Sequence, residues 1–150
     1  MIYYFKKLHF LKKMLSHSHA AFINTFRSFT KYFAKTHEWI DINGDTGIIG
    51  VSDFAQHQMG EISFADFKLN KEFKVGDEIG DVESIKSTSP IFAPMDGTII
   101  EVNPAIANDP TIINKSPEKD GWLCKMKLTD SSNIGKLMDE ANYKKYLASR

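Results

Sequence analysis

Turn residues break this chain at short intervals: Asn43-Gly44-Asp45, Gly60, Gly76-Asp77 and Asp96-Gly97. Asn and Gly accept the positive φ that tight turns demand. The runs between these points are too short for long helices, and several are rich in β-branched residues, as at Thr98, Ile99, Ile100 and Val102. Such a pattern leaves few folds open. It predicts many short strands with helices only at the margins: a mainly β fold, sandwich or barrel, with short peripheral helices and a C-terminal helix.

The individual pieces are specific. "THEWIDINGDTGIIGVS" reads as strand, tight turn, strand. Ser52 to Gly60 reads as a short helix, with Ser52 able to cap the first free amides, Asp53 at the positive end of the dipole and Gly60 as its stop. Ile62 and Phe64 alternate, and the phase shifts before Phe67 and Leu69, which predicts a bulge. "FKVGDEIGDVES" reads as strand, Gly76-Asp77 turn, strand, and "PIFAPMDGTIIEV" repeats that pattern around Asp96-Gly97. Trp122, Cys124, Met126 and Leu128 alternate onto one apolar side of a further strand. Asn103 to Gly121 holds three of the five prolines and reads as a loop with one helical turn. Leu137, Met138, Ala141 and Tyr143 lie at near-helical spacing in a tail of one or two short helices.

A formal net charge of +0 hides a split. Met1 to His37 contains seven cations and neither Asp nor Glu. The remaining twelve cations face all nineteen acids, so the body has a formal charge of −7. An acid-free leader mixing cations, hydroxyls and large apolar residues has the composition of an organellar transit peptide. The expected division is therefore 1–31 as a leader and 32–150 as the functional domain, with the mature chain beginning between Phe29 and Lys35. A mitochondrial matrix destination follows, with a plastid-type organelle as the alternative. Other readings of the leader are a secretory signal, for which its apolar stretch is short, a basic tail, or a nucleic-acid-binding arm. Lys6, Lys7, Lys12 and Lys13 interrupt any run of membrane-spanning length, so no membrane partner is expected.

Conventional catalysis finds no foothold. There is no phosphate-cradling Gly loop and no nucleophile-elbow serine. His17, His19, His37 and His57 form no metal-ligand spacing. The single cysteine, Cys124, excludes an internal disulfide and reads as a small buried hydrophobe. The acidic body is a poor nucleic-acid surface. The chain does not read as a self-sufficient enzyme.

Lys86 remains. It falls between the two strand-turn-strand units, on the connection between neighbouring strands if both are hairpins. A lysine at an exposed turn is ordinarily a solvated residue and nothing more. Here its neighbours Ser84, Ser87, Thr88 and Ser89 are small and leave its amine open to a modifying enzyme, while Pro90 stiffens the exit.

Almost the whole body, about Tyr32 to Leu147, resembles the glycine cleavage system H protein family of lipoyl carriers. "YFAKTHEWI" resembles the family's opening His-Glu-Trp strand, "GIIGVSDFAQHQMGEISF" its glycine-rich strand, Ala-Gln helix and next strand, and "ESIKS" its lipoylation sequence. "SPIFAPMDGTIIEVN" and "PTIINKSPEKDGWLCKMKL" resemble the segments that follow. The resemblance implies a barrel-sandwich hybrid. It also implies lipoate in amide linkage on Lys86, with Glu83 and Ser84 in the lipoylation motif. The arm would accept the aminomethyl group left when a pyridoxal-phosphate glycine decarboxylase (P protein) acts on glycine. A tetrahydrofolate-dependent aminomethyltransferase (T protein) would take the carbon onward, and dihydrolipoamide dehydrogenase (L protein) would reoxidise the dithiol. A lipoyl ligase or octanoyltransferase, with lipoyl synthase, would install the cofactor. Thr36 and Glu38 match residues that hold the loaded arm's amine in a cleft.

Two departures qualify this. Where the family has an acid shortly after the lysine, this chain has Pro90, and "FKLNKEFKVG" replaces a Leu-Pro and glycine segment. Three rivals stand beside the carrier role. A biotin carrier would place its lysine between methionines, whereas Ile85 and Ser87 flank Lys86. A lipoyl depot feeding 2-oxoacid dehydrogenases would share every motif. An unmodified binding module would differ in mass alone.

Overall fold

The Asn43-Gly44-Asp45 turn closes a hairpin between β2 (Glu38–Asn43) and β3 (Thr46–Val51) in the computed structural model, which describes residues 30–150. Gly44 has φ +63°, as that turn requires. β1 (Thr30–Phe33) adds to β2 at the sheet edge, so the folded domain takes up Thr30 and Lys31, ahead of the expected boundary. β9 (Cys124–Asp130) pairs with β3, β8 (Asp96–Val102) with β9, and β5 (Glu72–Phe73) with β8. A six-stranded antiparallel sheet results, in the order β1-β2-β3-β9-β8-β5. β4 (Ile62–Phe67), β6 (Glu78–Ser84) and β7 (Thr88–Phe92) form a second sheet in the order β4-β6-β7. The mainly β two-sheet architecture matches the expectation.

The two units flanking Lys86 are not hairpins. Each crosses from one sheet to the other: β5 to β6 through Gly76-Asp77, and β7 to β8 through Ala93, Pro94 and Met95. The hairpin is β6–β7 itself, and Lys86 sits at its tip. Asp96-Gly97 is not a turn but the start of β8. The Asp96 carboxylate is buried, accepts the Val75 N–H at 2.8 Å and pairs with Lys74 at 3.3 Å, which pins the crossing loop. Gly97 is needed for close approach: a Cβ there would lie 2.3 Å from the Lys127 carbonyl oxygen.

Other elements carry smaller corrections. α1 (Asp53–Met59) has the predicted caps, with Ser52 Oγ accepting the Ala55 N–H at 3.2 Å and Gly60 at φ +83°. The β4 bulge falls between Ile62 and Phe64, so Phe64 faces outward and is 52% exposed instead of sharing the side of Ile62. Leu123 and Cys124 are both fully buried, and Trp122 turns away to a second apolar cluster, so the alternation starts only at Cys124. The proline-rich stretch holds two short helices, α2 (Pro104–Asn108) and α3 (Ile112–Lys115). A 3-10 turn (Ser132–Lys136) and α4 (Glu140–Ala148) close the chain.

Ile40, Ile49, Ile79, Val82, Ile91, Met95, Ile99, Leu123 and Met126 fill the space between the sheets. A smaller cluster of Phe33, Trp39 and Tyr143 fixes α4 to the outer strands, with the Phe33 and Tyr143 rings stacked at 4.3 Å.

Candidate functional site

The tip of the β6–β7 hairpin is built by one serine. Ser84 N–H donates to the Ser87 carbonyl at 2.8 Å, and Ser84 Oγ accepts the N–H groups of Lys86 and Ser87, each at 3.2 Å. A short hydroxyl side chain thus satisfies two of the amides of the turn. Lys86 is exposed at its apex, beside Ile85, which is 76% exposed. Glu83 is exposed on β6 and opposes Thr88.

The lysine is not free of the rest of the fold. The Ile85 N–H donates to the Glu61 carbonyl at 3.2 Å, and the Lys86 stem lies against Gly60. A Cβ at Gly60 would come within 3.1 Å of Lys86 Cε and 3.5 Å of Nζ. The Lys86 stem thus occupies the space that a side chain at position 60 would need, a constraint that the cap position in the sequence did not reveal. An exposed primary amine on a rigid, small-residue turn, with its stem laid along a bare backbone, fits acylation by a carboxylic cofactor.

Thr36 and Glu38 lie together but apart from the hairpin tip. The Thr36 hydroxyl donates to Glu38 Oε2, and the Phe92 N–H donates to Oε1 at 3.0 Å. Glu38 is 2% exposed, and both of its oxygens are already engaged. Burial raises its pKa above the usual carboxylate value, against the lowering effect of the Thr36 and Phe92 hydrogen bonds. Thr36 itself is exposed and lines an apolar cavity of about 390 Å³ with Ala34, Phe92, Pro94 and Leu137.

Pro90 faces Asp81 across the β6–β7 ladder. Directly opposed residues share a sheet face. A carboxylate therefore stands beside the position where the acid after the lysine is missing, a pairing invisible until the strand register was known. Cys124 takes no part: burial pushes its thiol up to about 12, which leaves no reactive thiolate near neutral pH. Among the described residues no cluster of His, Cys, Asp and Glu is arranged to hold a metal, and no helix is long and apolar enough to cross a membrane.

Three comparisons bear on this arrangement. The profile of the family described as Glycine cleavage H-protein matches residues 31–150. The glycine cleavage system H protein of Bartonella quintana is 40% identical over 114 residues, which span 75% of this chain and 93% of that protein. A Schizosaccharomyces pombe protein named as a mitochondrial glycine cleavage system H protein is 36% identical over 118 residues, spanning 78% of this chain and 70% of its own. In structure, the chain is similar to a glycine cleavage system H protein from Mycobacterium marinum, with a TM-score of 0.72, 30% identity, and coverage of 80% of this chain and 98% of that one.

Proposed function

The chain belongs to the glycine cleavage H-protein family, whose members are lipoyl carriers and not catalysts, and from that membership we propose that Lys86 is its lipoyl attachment point. The observation that carries the proposal is the Ser84-locked apex, where Lys86 is exposed among small residues with its stem on Gly60. When bound, lipoate supplies a disulfide able to accept an aminomethyl group and pass it on. The chain's own residues bind, orient and shield: Ser84 fixes the direction of the turn, Gly60 supports the stem, and the β6–β7 ladder holds the apex clear of the core. Tethering keeps the arm at high effective concentration for each partner site it visits.

The partners in this reading are glycine decarboxylase, the tetrahydrofolate-dependent aminomethyltransferase and dihydrolipoamide dehydrogenase, with a lipoyl ligase or octanoyltransferase and lipoyl synthase upstream. Residues ahead of Thr30 form a transit peptide, and the mature domain works in the mitochondrial matrix. The acid-free leader and the mitochondrial name of the S. pombe relative support that destination. For the loaded arm, Glu38 and Asp81 are the carboxylates proposed to answer its ammonium, Asp81 from across the ladder at Pro90 and Glu38 after release by Thr36.

Peptide mass spectrometry of native protein tests the attachment. A lipoyl adduct is expected on Lys86. An unmodified Lys86, or an adduct on Lys68 or Lys74, would overturn the assignment. Lys86→Arg should fold as the wild type does, since an exposed turn substitution costs little, and should carry no lipoate.

A further inference from the structure

We infer that Asn114 is a positioning residue for acylation of Lys86, an inference that rests on the attachment reading above. Asn114 lies on α3, far from the hairpin in sequence, and its carboxamide is fully engaged. Nδ2 donates to the Gly60 carbonyl at 2.8 Å and to Gln56 Oε1 at 3.0 Å, while Oδ1 accepts the Ile62 N–H at 2.9 Å. The orientation is unambiguous, because the flipped amide would set its oxygen against two acceptors. Gln56 is buried and is itself held, its Nε2 donating to Asp53 Oδ1 at 2.9 Å.

These bonds bracket one peptide segment. Asn114 holds the carbonyl of Gly60 and the amide of Ile62, and Glu61 lies between them. The two contacts described above, the Ile85 N–H on the Glu61 carbonyl and the Lys86 stem on Gly60, both land on this clamped segment. Ile113, fully buried beside Asn114, anchors the clamp to the core. The β6–β7 ladder keeps the hairpin formed, and the clamp sets where its apex sits and which way the lysine leaves it.

Acylation needs that placement. The free amine of Lys86 attacks the acyl carbon of an activated acyl donor such as lipoyl adenylate. The N–C bond forms as the C–O bond to AMP breaks, and the nitrogen loses one proton. The acylating enzyme must meet Nζ in a near-attack geometry, and a wandering apex spends part of each encounter out of line.

Asn114→Asp keeps an acceptor for the Ile62 N–H and replaces the donor with an oxygen facing the Gly60 carbonyl. With free lipoate, ATP and a lipoate ligase, kcat/KM for acylation should fall about tenfold, measured well below the melting temperature. Amide exchange at Ile85 should quicken by a similar factor, while Ile49 and Met126 exchange as in the wild type. Should the Asp variant fold poorly, Asn114→Ser, which is too short to bridge, gives the same two readouts. Unchanged kcat/KM, an unchanged Ile85 amide, or equal acceleration of the core amides would overturn the positioning role. A wild-type chain that takes no lipoate at Lys86 would overturn the attachment reading, and that result is separate.

Discussion

Glu38 is a buried acid with no cation in contact among the described residues, and that sets its pH behaviour. Its folded pKa is raised above 4.5, chiefly by burial, so the native state binds the proton more tightly than the unfolded chain does. Its contribution to stability is full below pH 4.5 and is lost as pH rises through the raised value. His37 has the opposite sign. Burial and Arg150 lower its pKa below 6.5, so the stability linked to it is present above pH 6.5 and fades as pH falls through the lowered value. Glu38→Gln should therefore melt no lower than the wild type at pH 7 and should lose the decline above pH 4.5, read from thermal melts between pH 4 and 8. A clear drop in melting temperature at pH 7 would mean that the bonds from Thr36 and Phe92 to the carboxylate outweigh its burial. In the loaded protein, Glu38→Gln and Asp81→Asn should each speed loss of the aminomethyl group with no partner enzyme present. Removing one partner of a charge-assisted contact costs about 1.5–3 kcal/mol, or about ten- to a hundredfold in rate. Rates equal to the wild type in both would mean that this chain has relaxed the holding of its cargo, and would favour the lipoyl-depot role.

At the scale of elements, the sequence shows turns more clearly than partners. The β2–β3 hairpin and the caps of α1 were legible because their causes are local: positive φ at Gly44, a serine at the helix start, a glycine at its end. Lys86 was legible as the exposed exception for the same reason. The two sheet-to-sheet crossings were not, because a Gly-Asp pair marks a change of direction and says nothing about which strand will be paired next. Nor was the buried state of Glu38, which depends on Phe92 far along the chain. Gly97 separates the two kinds of information. As a turn glycine it would tolerate alanine at a cost of about 1–2 kcal/mol in a left-handed conformation. As a strand glycine pressed against the backbone of β9, it has no room: the added carbon would also meet Met126 Cγ at 2.6 Å. Gly97→Ala should cost about 1–3 kcal/mol through forced strand separation. Gly44→Ala, with nothing within 4 Å and φ +63°, should cost only the conformational penalty and leave the β8–β9 ladder intact. Denaturant unfolding compares the two totals, and amide exchange along β9 tells the mechanisms apart. Undisturbed β9 amides in Gly97→Ala would show that the strand can make room.

The charges divide along the chain: Met1 to His37 carries seven cations and neither Asp nor Glu, all nineteen acids follow from Glu38 on, and β1 lies within the acid-free stretch. Lys31 belongs to the domain: its Nζ lies 4.2 Å from the Trp39 ring centre and donates to the Glu118 carbonyl. Phe33 belongs to it more firmly. Its N–H and carbonyl exchange hydrogen bonds with Met138 at 2.7 and 2.8 Å, and its ring stacks on Tyr143, so β1 ties α4 to the larger sheet. The sequence alone allows processing anywhere from Phe29 to Lys35, but the later positions in that window cut into this tie. A mature chain starting at Ala34 would lose the buried Phe33 side chain, worth about 3–5 kcal/mol on the scale of large core truncations, and would free α4 as well. We therefore expect the native mature chain to begin at or before Thr30. N-terminal sequencing of organelle-purified protein checks this: a start at Phe29 or Thr30 agrees with a leader removed without loss of β1. A start at Ala34 or Lys35 would mean that α4 holds to the sheet without β1, and an intact Met1 in the organelle would mean that the basic segment is not a cleaved leader.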